Sequence, residues 1–367
     1  MSSAGSEIEA PSPDEIEISL FGPGFGESMA VHLGDGRWMI VDSCVSPSMG
    51  RPALDYLAEI NVDCRTAVVA VVATHWHDDH VRGFAEVVSQ CEGATVFLGS
   101  ALQQHEFLTL VASPPTTTRI PPGAREFAAV IATLRERRNG GRSADVVSRL
   151  VTEQTIVDES AMSRVVALSP SSAAVEDAIS AFADLLPEPR RPQLRIPAPS
   201  KNAASVVLWV EGAGGAALLG ADLEAEHRND RGWGRVVALG ERGPAGLVKV
   251  PHHGGQTAHD ERMWDRLLRV RPQALLTPWT LGGNLLPDED DTRRICELAP
   301  EAVIVGRASA SPKRLESAVE RSLKGVAKGR RVVGHGAGHV RARCGPADSG
   351  NWRVDLMRSA ERMCSAA

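Results

Sequence analysis

Four residues able to bind a metal ion fall within six positions of this chain: His75, His77, Asp79 and His80, in the run Thr74-His75-Trp76-His77-Asp78-Asp79-His80. Imidazole nitrogens and carboxylate oxygens suit borderline divalent cations such as Zn²⁺ and Mn²⁺. The run follows Ala67-Val68-Val69-Ala70-Val71-Val72-Ala73, a β-branched apolar stretch of the kind expected for a strand buried on both faces. Side chains two apart in extended backbone point the same way, so His75 and His77 can grip one ion. Asp79 and His80, on the turn into the next helix, reach toward a second. Other polar residues close apolar strands in the same manner: Asp42 after Trp38-Met39-Ile40-Val41, Asp222 after Ala216 to Leu219, and the His252-His253 pair after Gly246 to Val250. Strand ends are where side chains distant in sequence converge on one point, and Asp222 is placed to bridge the two ions.

The elements that must carry these residues alternate along the chain. Glu15 to Leu20 reads as a strand, Met29 to Leu33 as a second, and Gly34-Asp35-Gly36 as the hairpin turn into Trp38 to Val41. Helices are predicted at Ala53 to Glu59, Gly83 to Ser89, Ala124 to Arg138, Ala174 to Leu186 and near Glu261 to Val270. Further strands are predicted at Ala94 to Leu98, Arg164 to Leu168, Ala204 to Glu211, Ala274 to Leu276 and Ala302 to Val305, with a last hairpin over Val340 to Asp355. Strands outnumber helices, and the two are interleaved, which implies two sheets flanked by helices, an αββα sandwich of the α/β class. The expected organisation is a tail over residues 1–14, one domain over 15–357 with a helical and loop insertion at about 102–200 that could act as a lid or a protein-partner surface, and a C-terminal tail over 358–367.

The chain has 367 residues, 43% of them hydrophobic, enough for a sizeable core. No apolar run reaches the roughly 20 residues that span a bilayer, and residues 1–14 lack the basic and apolar regions of a signal peptide. The six cysteines are scattered singly, so free thiols in a reducing cytoplasm are expected and no membrane is implied. A net charge of −6 argues against nucleic-acid binding by the field of the whole surface. A local basic groove is compatible with it. Arg137-Arg138 and Arg190-Arg191 read as solvated surface rather than as that groove. Cys44 reads as a small buried filler, and Gly334 to His339, with His335 and His339, as a Gly-rich hairpin.

Taken together, these residues resemble the metallo-β-lactamase superfamily, whose signature is His-x-His-x-Asp-His between a preceding strand-end Asp and a following strand-end Asp and His. The finer resemblance is to the hydrolase domain of ComEC/Rec2-like competence proteins, through Asn202-Ala203-Ala204-Ser205-Val206-Val207-Leu208, Leu218-Leu219-Gly220-Ala221-Asp222 and Leu247-Val248-Lys249-Val250-Pro251-His252-His253-Gly254-Gly255. Two positions depart from that branch: Gly255 stands where it usually has Ser, and Ala221 is an extra residue before Asp222. The resemblance implies the metallo-β-lactamase-like sandwich, with His75, His77, Asp79, His80, Asp222 and His253 as metal ligands. His253 is preferred over its neighbour because it directly precedes Gly, and His252, Asn202, Ser205 and Lys249 become candidates for supporting a ligand or facing substrate. One superfamily ligand is missing. Between His80 and Asp222 the sole histidine is His105, which lacks the usual Gly-His context.

The chemistry implied is hydrolysis with two divalent ions, Zn or Mn. Such a pair lowers the pKa of a bridging water from about 15.7 toward about 7. Asp79, Asp42 and His253 are the candidate catalytic residues, Asp42 by fixing the tautomer of a metal-bound His. A phosphodiesterase or nuclease acting on nucleic acid or a nucleotide is the leading expectation, because two cations can stabilise the attacking and leaving oxygens together. A lactam, lactone or thioester hydrolase is the alternative, and a non-enzymatic partner or sensor on the same scaffold is a third.

Overall fold

A computed structural model describes residues 8–22, 26–46, 50–112, 122–140, 147–159, 162–186, 202–226, 228–240, 242–281, 284–306 and 337–364. In chain order the strands are β1 (Ile16–Gly22), β2 (Ser28–His32), β3 (Trp38–Val41), β4 (Val68–Ala73), β5 (Thr95–Gly99), β6 (Val147–Leu150), β7 (Gln154–Glu159), β8 (Ser163–Ala167), β9 (Leu208–Gly212), β10 (Gly215–Leu219), β11 (Ala245–Lys249), β12 (Leu268–Leu276), β13 (Trp279–Leu281), β14 (Asn284–Leu286), β15 (Val303–Ile304), β16 (Gly338–Cys344), β17 (Arg353–Met357) and β18 (Glu361–Arg362). The helices are α1 (Pro52–Glu59), α2 (Cys64–Ala67), α3 (Asp78–Val81), α4 (Phe84–Gln90), α5 (His105–Ala112), α6 (Pro122–Asn139), α7 (Ser172–Leu185), α8 (Gly232–Ala238), α9 (Glu261–Leu267) and α10 (Glu289–Leu298).

Two eight-stranded sheets result, ordered β17-β16-β1-β2-β3-β4-β5-β6 and β18-β15-β12-β11-β10-β9-β8-β7. Their facing sides share one core that includes Ile18, Met39, Val41, Ala70 and Val72 from the first sheet and Val165, Leu208, Leu219, Leu247 and Leu275 from the second. The outer side of the first sheet packs Ile40, Val71 and Ala73 against Leu57, Phe84, Leu110 and Phe127 of the helices. The outer side of the second packs Leu218, Val248 and Ala274 against Val236, Met263 and Ile295. This is the αββα sandwich. The unbroken apolar run of β4 follows from it, since Val71 and Ala73 face helices while Ala70 and Val72 face the other sheet.

Parallel pairing positions the site. Strands β3, β4 and β5 run parallel in one sheet, and β10, β11 and β12 run parallel in the other. The carboxyl ends of each set therefore lie along one edge, and the residues that follow them can meet.

Three expectations are corrected here. The 102–200 segment holds more than helices, loops and the strand expected at Arg164 to Leu168, because β6 forms one edge of the first sheet and β7, paired with β8, one edge of the second. The chain past residue 357 is not a free tail: β18 pairs antiparallel with β15, and Met363 N donates to Ala302 O at 2.9 Å. Cys296 of α10 and Cys364 are joined in a disulfide, whereas Cys44, Cys64, Cys91 and Cys344 are free thiols. The scattered spacing hid this pair, 68 residues apart in sequence, because only tertiary packing brings α10 beside the last strand. No described helix is long and apolar enough to cross a membrane.

Candidate metal centre

Asp42, His75, Asp222, His253 and Thr277 each follow a parallel strand, β3, β4, β10, β11 and β12 in turn. Several of these turns hold non-glycine residues in the left-handed region, with φ of 58° at Asp42, 44° at Ala221, 49° at His252 and 55° at His253. Such backbone costs about 1 kcal/mol or more per residue and persists where the surrounding structure enforces it. The Gly-rich turn before β2 approaches even more closely. A Cβ on Gly26, whose φ is +93°, would sit 2.8 Å from the Asp79 carbonyl oxygen, and the next residue, Glu27, donates its N–H to that same oxygen at 2.9 Å.

One ligand atom from each of Asp79, His80, Asp222 and His253 lies within 4.8 Å of the others, and all four residues are buried. His80 Nε2 is 3.3 Å from Asp222 Oδ1, and His253 Nε2 is 3.3 Å from Asp79 Oδ2 and 3.7 Å from Asp222 Oδ2. His75 Nε2 approaches the other side of Asp222, at 3.7 Å from Oδ2. His77, half-buried, stands edge-on to His75 with ring centroids 4.8 Å apart. Asp222 is thus the carboxylate common to the four-residue cluster and to the His75-His77 pair.

The hydrogen bonds assign the tautomers. Thr74 Oγ1 donates to Asp42 Oδ2 at 2.7 Å, so it accepts from His75 Nδ1 at 3.0 Å. His80 Nδ1 donates to the same Asp42 oxygen at 2.8 Å, and Thr74 N donates to Asp42 Oδ1 at 2.8 Å. His253 Nδ1 donates to Thr277. All three rings therefore turn an Nε2 lone pair inward. Nε2 of His75, His80 and His253 and Oδ1 of Asp222 are buried with no hydrogen-bond partner. Buried polar atoms are ordinarily satisfied, and orphans gathered around one carboxylate, Asp222, fit divalent cations. The donors are nitrogen and oxygen without sulfur, which suits Zn²⁺ or Mn²⁺.

Electrostatics divide the four imidazoles into two pairs. Burial pushes the His75 imidazole well below its ordinary pKa, and the nearby His80 adds to the effect; burial likewise lowers His77. Both are neutral, as ligands must be. Burial opposes charge on Asp222 and Asp79 as well, but the imidazoles of His80 and His253 outweigh it and hold both carboxyls below the usual range. The same attraction, led by Asp222, raises His80 and His253 against their burial; it favours positive charge at their Nε2 atoms, and a bound cation would take the place of a proton there.

Several predicted residues stand elsewhere. His252 lies at the rim, with Nδ1 3.0 Å from Thr257 Oγ1 and 3.7 Å from Glu224 Oε1. Lys249 cannot face substrate: it is fully buried, and its ammonium lies 2.5 Å from Glu27 Oε1. Asn202 and Ser205 belong to a buried turn that docks beside the motif, where Val206 N donates to Thr74 O at 3.0 Å and Ser205 Oγ has no partner. His105 is exposed on α5, with Thr109 Oγ1 3.4 Å from its Nε2. His339 sits in β16, buried beside Phe21 and Tyr56, with Nε2 2.9 Å from Ser19 Oγ. Arg137 caps the end of α4, donating to Cys91 O at 2.8 Å. His335 and Arg190-Arg191 lie outside the described residues.

Two participants escaped the sequence reading, Glu27 and Thr277. Both had a signal: Glu27 is a lone carboxylate at the start of an apolar strand, and Thr277 is a strand-end polar residue after Ala274-Leu275-Leu276.

The 102–200 segment reaches the centre through Trp76. Its ring packs on Phe107 of α5 and Phe182 of α7, with centroids 5.9 Å away in each case, and Phe107 contacts Phe127 of α6 at 5.3 Å. The first turn of α6 is equally tight, since a Cβ on Gly123 would lie 2.1 Å from the Trp76 carbonyl oxygen. These helices wall the motif from behind.

The sequence from residue 21 to 96, from the end of β1 through the His75 motif, matches the family model of the metallo-beta-lactamase superfamily. The two-sheet α/β architecture agrees with that match. Solved structures similar to it include the metallo-beta-lactamase fold protein YhfI from Bacillus subtilis, at 11% identity over 79% of this chain and 95% of that one, TM-score 0.40. Others are Zn(2+)-bound PqqB from Methylobacterium extorquens, at 14% identity over 68% and 74%, TM-score 0.32, and MEM-A1, a subclass B3 metallo-beta-lactamase from a soil metagenome library, at 12% identity over 66% and 78%, TM-score 0.35. A search of curated proteins returned no significant match.

Proposed function

We propose that this protein is a metal-dependent hydrolase, and that phosphodiester bonds of a nucleic acid or nucleotide are its substrates. The observation that carries the metal reading is the set of four buried, unpartnered atoms, Nε2 of His75, His80 and His253 and Oδ1 of Asp222, with all three nitrogens gathered around the Asp222 carboxylate. Asp79, His80, Asp222 and His253 would hold one ion, and His75 and His77 with Asp222 a second. Divalent ions supply Lewis acidity and an activated water when bound. The chain's own part is to hold the Nδ1–H groups of His75 and His80 in hydrogen bonds to Thr74 and Asp42, and to present Asp222 as an ionised carboxylate. Buried walls also exclude bulk water, which strengthens every charge interaction at the centre.

The phosphodiester assignment rests on the motif likeness to ComEC/Rec2-like hydrolase domains. It is tested by elemental analysis of the wild type and His77→Ala, with Mn²⁺- and Zn²⁺-dependent cleavage of plasmid DNA, single-stranded DNA, RNA and bis(p-nitrophenyl) phosphate in the same preparations. Bound metal with cleavage that is lost in the variant supports the proposal. Stoichiometric metal with every phosphodiester left intact overturns the substrate class, and turnover of nitrocefin, a lactone or a thioester would then assign carbonyl chemistry to the same centre. Protein that binds no metal overturns the hydrolase reading itself.

A further inference from the structure

Beneath the centre lies a chain of buried polar side chains, drawn from four separate parts of the sequence, that ligation alone does not account for. It begins at His253, whose Nδ1 is 3.2 Å from the Thr277 backbone oxygen and 3.1 Å from Thr277 Oγ1. A carbonyl oxygen can only accept, so Nδ1 carries the proton and Nε2 the lone pair. Thr277 passes its own hydroxyl hydrogen to Glu27 Oε2, which leaves an oxygen lone pair turned toward the imidazole. The other Glu27 oxygen lies 2.5 Å from Lys249 Nζ, and both side chains are fully buried. The ammonium in turn donates to the Ala221 carbonyl at 3.0 Å and stands 3.8 Å from Asp222 Oδ1. The chain therefore runs from one cluster residue, His253, to another, Asp222.

Stability gives no reason for such a chain. Well-packed apolar side chains of similar volume serve a core at least as well as a buried ion pair. What apolar residues cannot do is orient an imidazole. A hydroxyl locked by a carboxylate faces His253 with its lone pair, and that holds the ring angle and raises the basicity of Nε2.

We propose that Thr277, Glu27 and Lys249 are positioning residues: Thr277 and Glu27 set His253 for metal binding, and Lys249 pins the turn that carries Asp222. This rests on the reading that the centre holds a divalent ion. Outer partners of this kind typically change metal affinity by about 10- to 100-fold.

The test is titration with Co²⁺, followed by its visible absorption and by calorimetry, on wild type, Thr277→Val, Thr277→Ser and Glu27→Gln. Unfolding of each metal-free protein is measured alongside. Thr277→Val is expected to bind Co²⁺ about 10- to 100-fold more weakly with an altered spectrum, and Thr277→Ser, which keeps the hydroxyl, to restore wild-type affinity. Glu27→Gln is expected to weaken binding in the same direction and serves as the second reading if Thr277→Val fails to fold. A merely structural role would lower unfolding stability and leave affinity and spectrum unmoved. Wild-type affinity in folded Thr277→Val or Glu27→Gln, or failure of Thr277→Ser to rescue, overturns the inference. Failure of the wild type to take up Co²⁺ overturns the metal reading and this inference with it, so the two failures are told apart by which protein shows them.

Discussion

Replacing Lys249 by Met removes a buried cation and keeps most of its volume. Lys249 Nζ and Glu27 Oε1 lie 2.5 Å apart with both side chains fully buried. At an effective dielectric of about 20, charges at that separation attract by roughly 7 kcal/mol, and the cost of taking both out of water cancels much of this. The intact pair is therefore close to neutral in stability. The broken pair is not, because Lys249→Met leaves a buried carboxylate whose one hydrogen-bond donor among the described residues is Thr277 Oγ1, with the His80 and His253 imidazoles no nearer than 3.8 Å, at a cost of about 3–5 kcal/mol. Glu27→Gln strands the ammonium less severely, since Lys249 keeps the Ala221 carbonyl and has Asp222 at 3.8 Å. The double variant Glu27→Gln/Lys249→Met should consequently recover part of the loss, with a coupling of about 2 kcal/mol in a double-mutant cycle. Urea unfolding of the four proteins in EDTA, compared at equal m-values, measures it. A Lys249→Met cost below about 1 kcal/mol, or strict additivity, would refute the argument that burial makes these charges interdependent.

Other perturbations follow from the same structure. Phe107→Ala empties a fully buried position among Trp76, Phe127 and Phe182; it should destabilise the protein by about 3–5 kcal/mol, and a urea midpoint equal to the wild type's would show that α5 to α7 do not brace the motif. Burial, joined by the charges of Arg341, Arg358 and Arg343, holds His339 well below its ordinary pKa. The unfolded chain then binds the extra proton, so stability is lost as pH falls from about 6.5 toward the folded value, at up to about 1.4 kcal/mol per pH unit. His339→Gln should flatten that part of the acid slope between pH 7.5 and 5.5, and an unchanged slope would show that His339 does not contribute. Reducing the Cys296–Cys364 bridge, which closes a span of 68 residues, should cost about 2–4 kcal/mol; thiol titration of the denatured, unreduced protein should find four free cysteines, and six would exclude the bridge.

The sequence by itself determined the parts that rest on local pattern. The β-branched run before His75 specified a strand buried on both faces, and interleaved strands and helices specified the two-sheet sandwich. The strand-end positions of Asp42, His75, Asp222 and His253 indicated a shared locus, since polar residues that close apolar strands have few other reasons to be there. Tertiary structure decided the rest, because those features depend on groups that are distant in sequence and not individually distinctive. Glu27 and Thr277, 250 residues apart, have no connection visible in sequence until β2 and β12 bring them together. In sequence Lys249 could support a ligand or face substrate, and only the fold shows the buried carboxylate 2.5 Å from its ammonium. His253, preferred over His252 in sequence because it directly precedes Gly, is the ring that the left-handed turn at the end of β11 buries beside Asp79 and Asp222, while His252 stays at the rim. A period of two or 3.6 residues records which face of an element is buried, and it carries no record of which partner from another element meets that face.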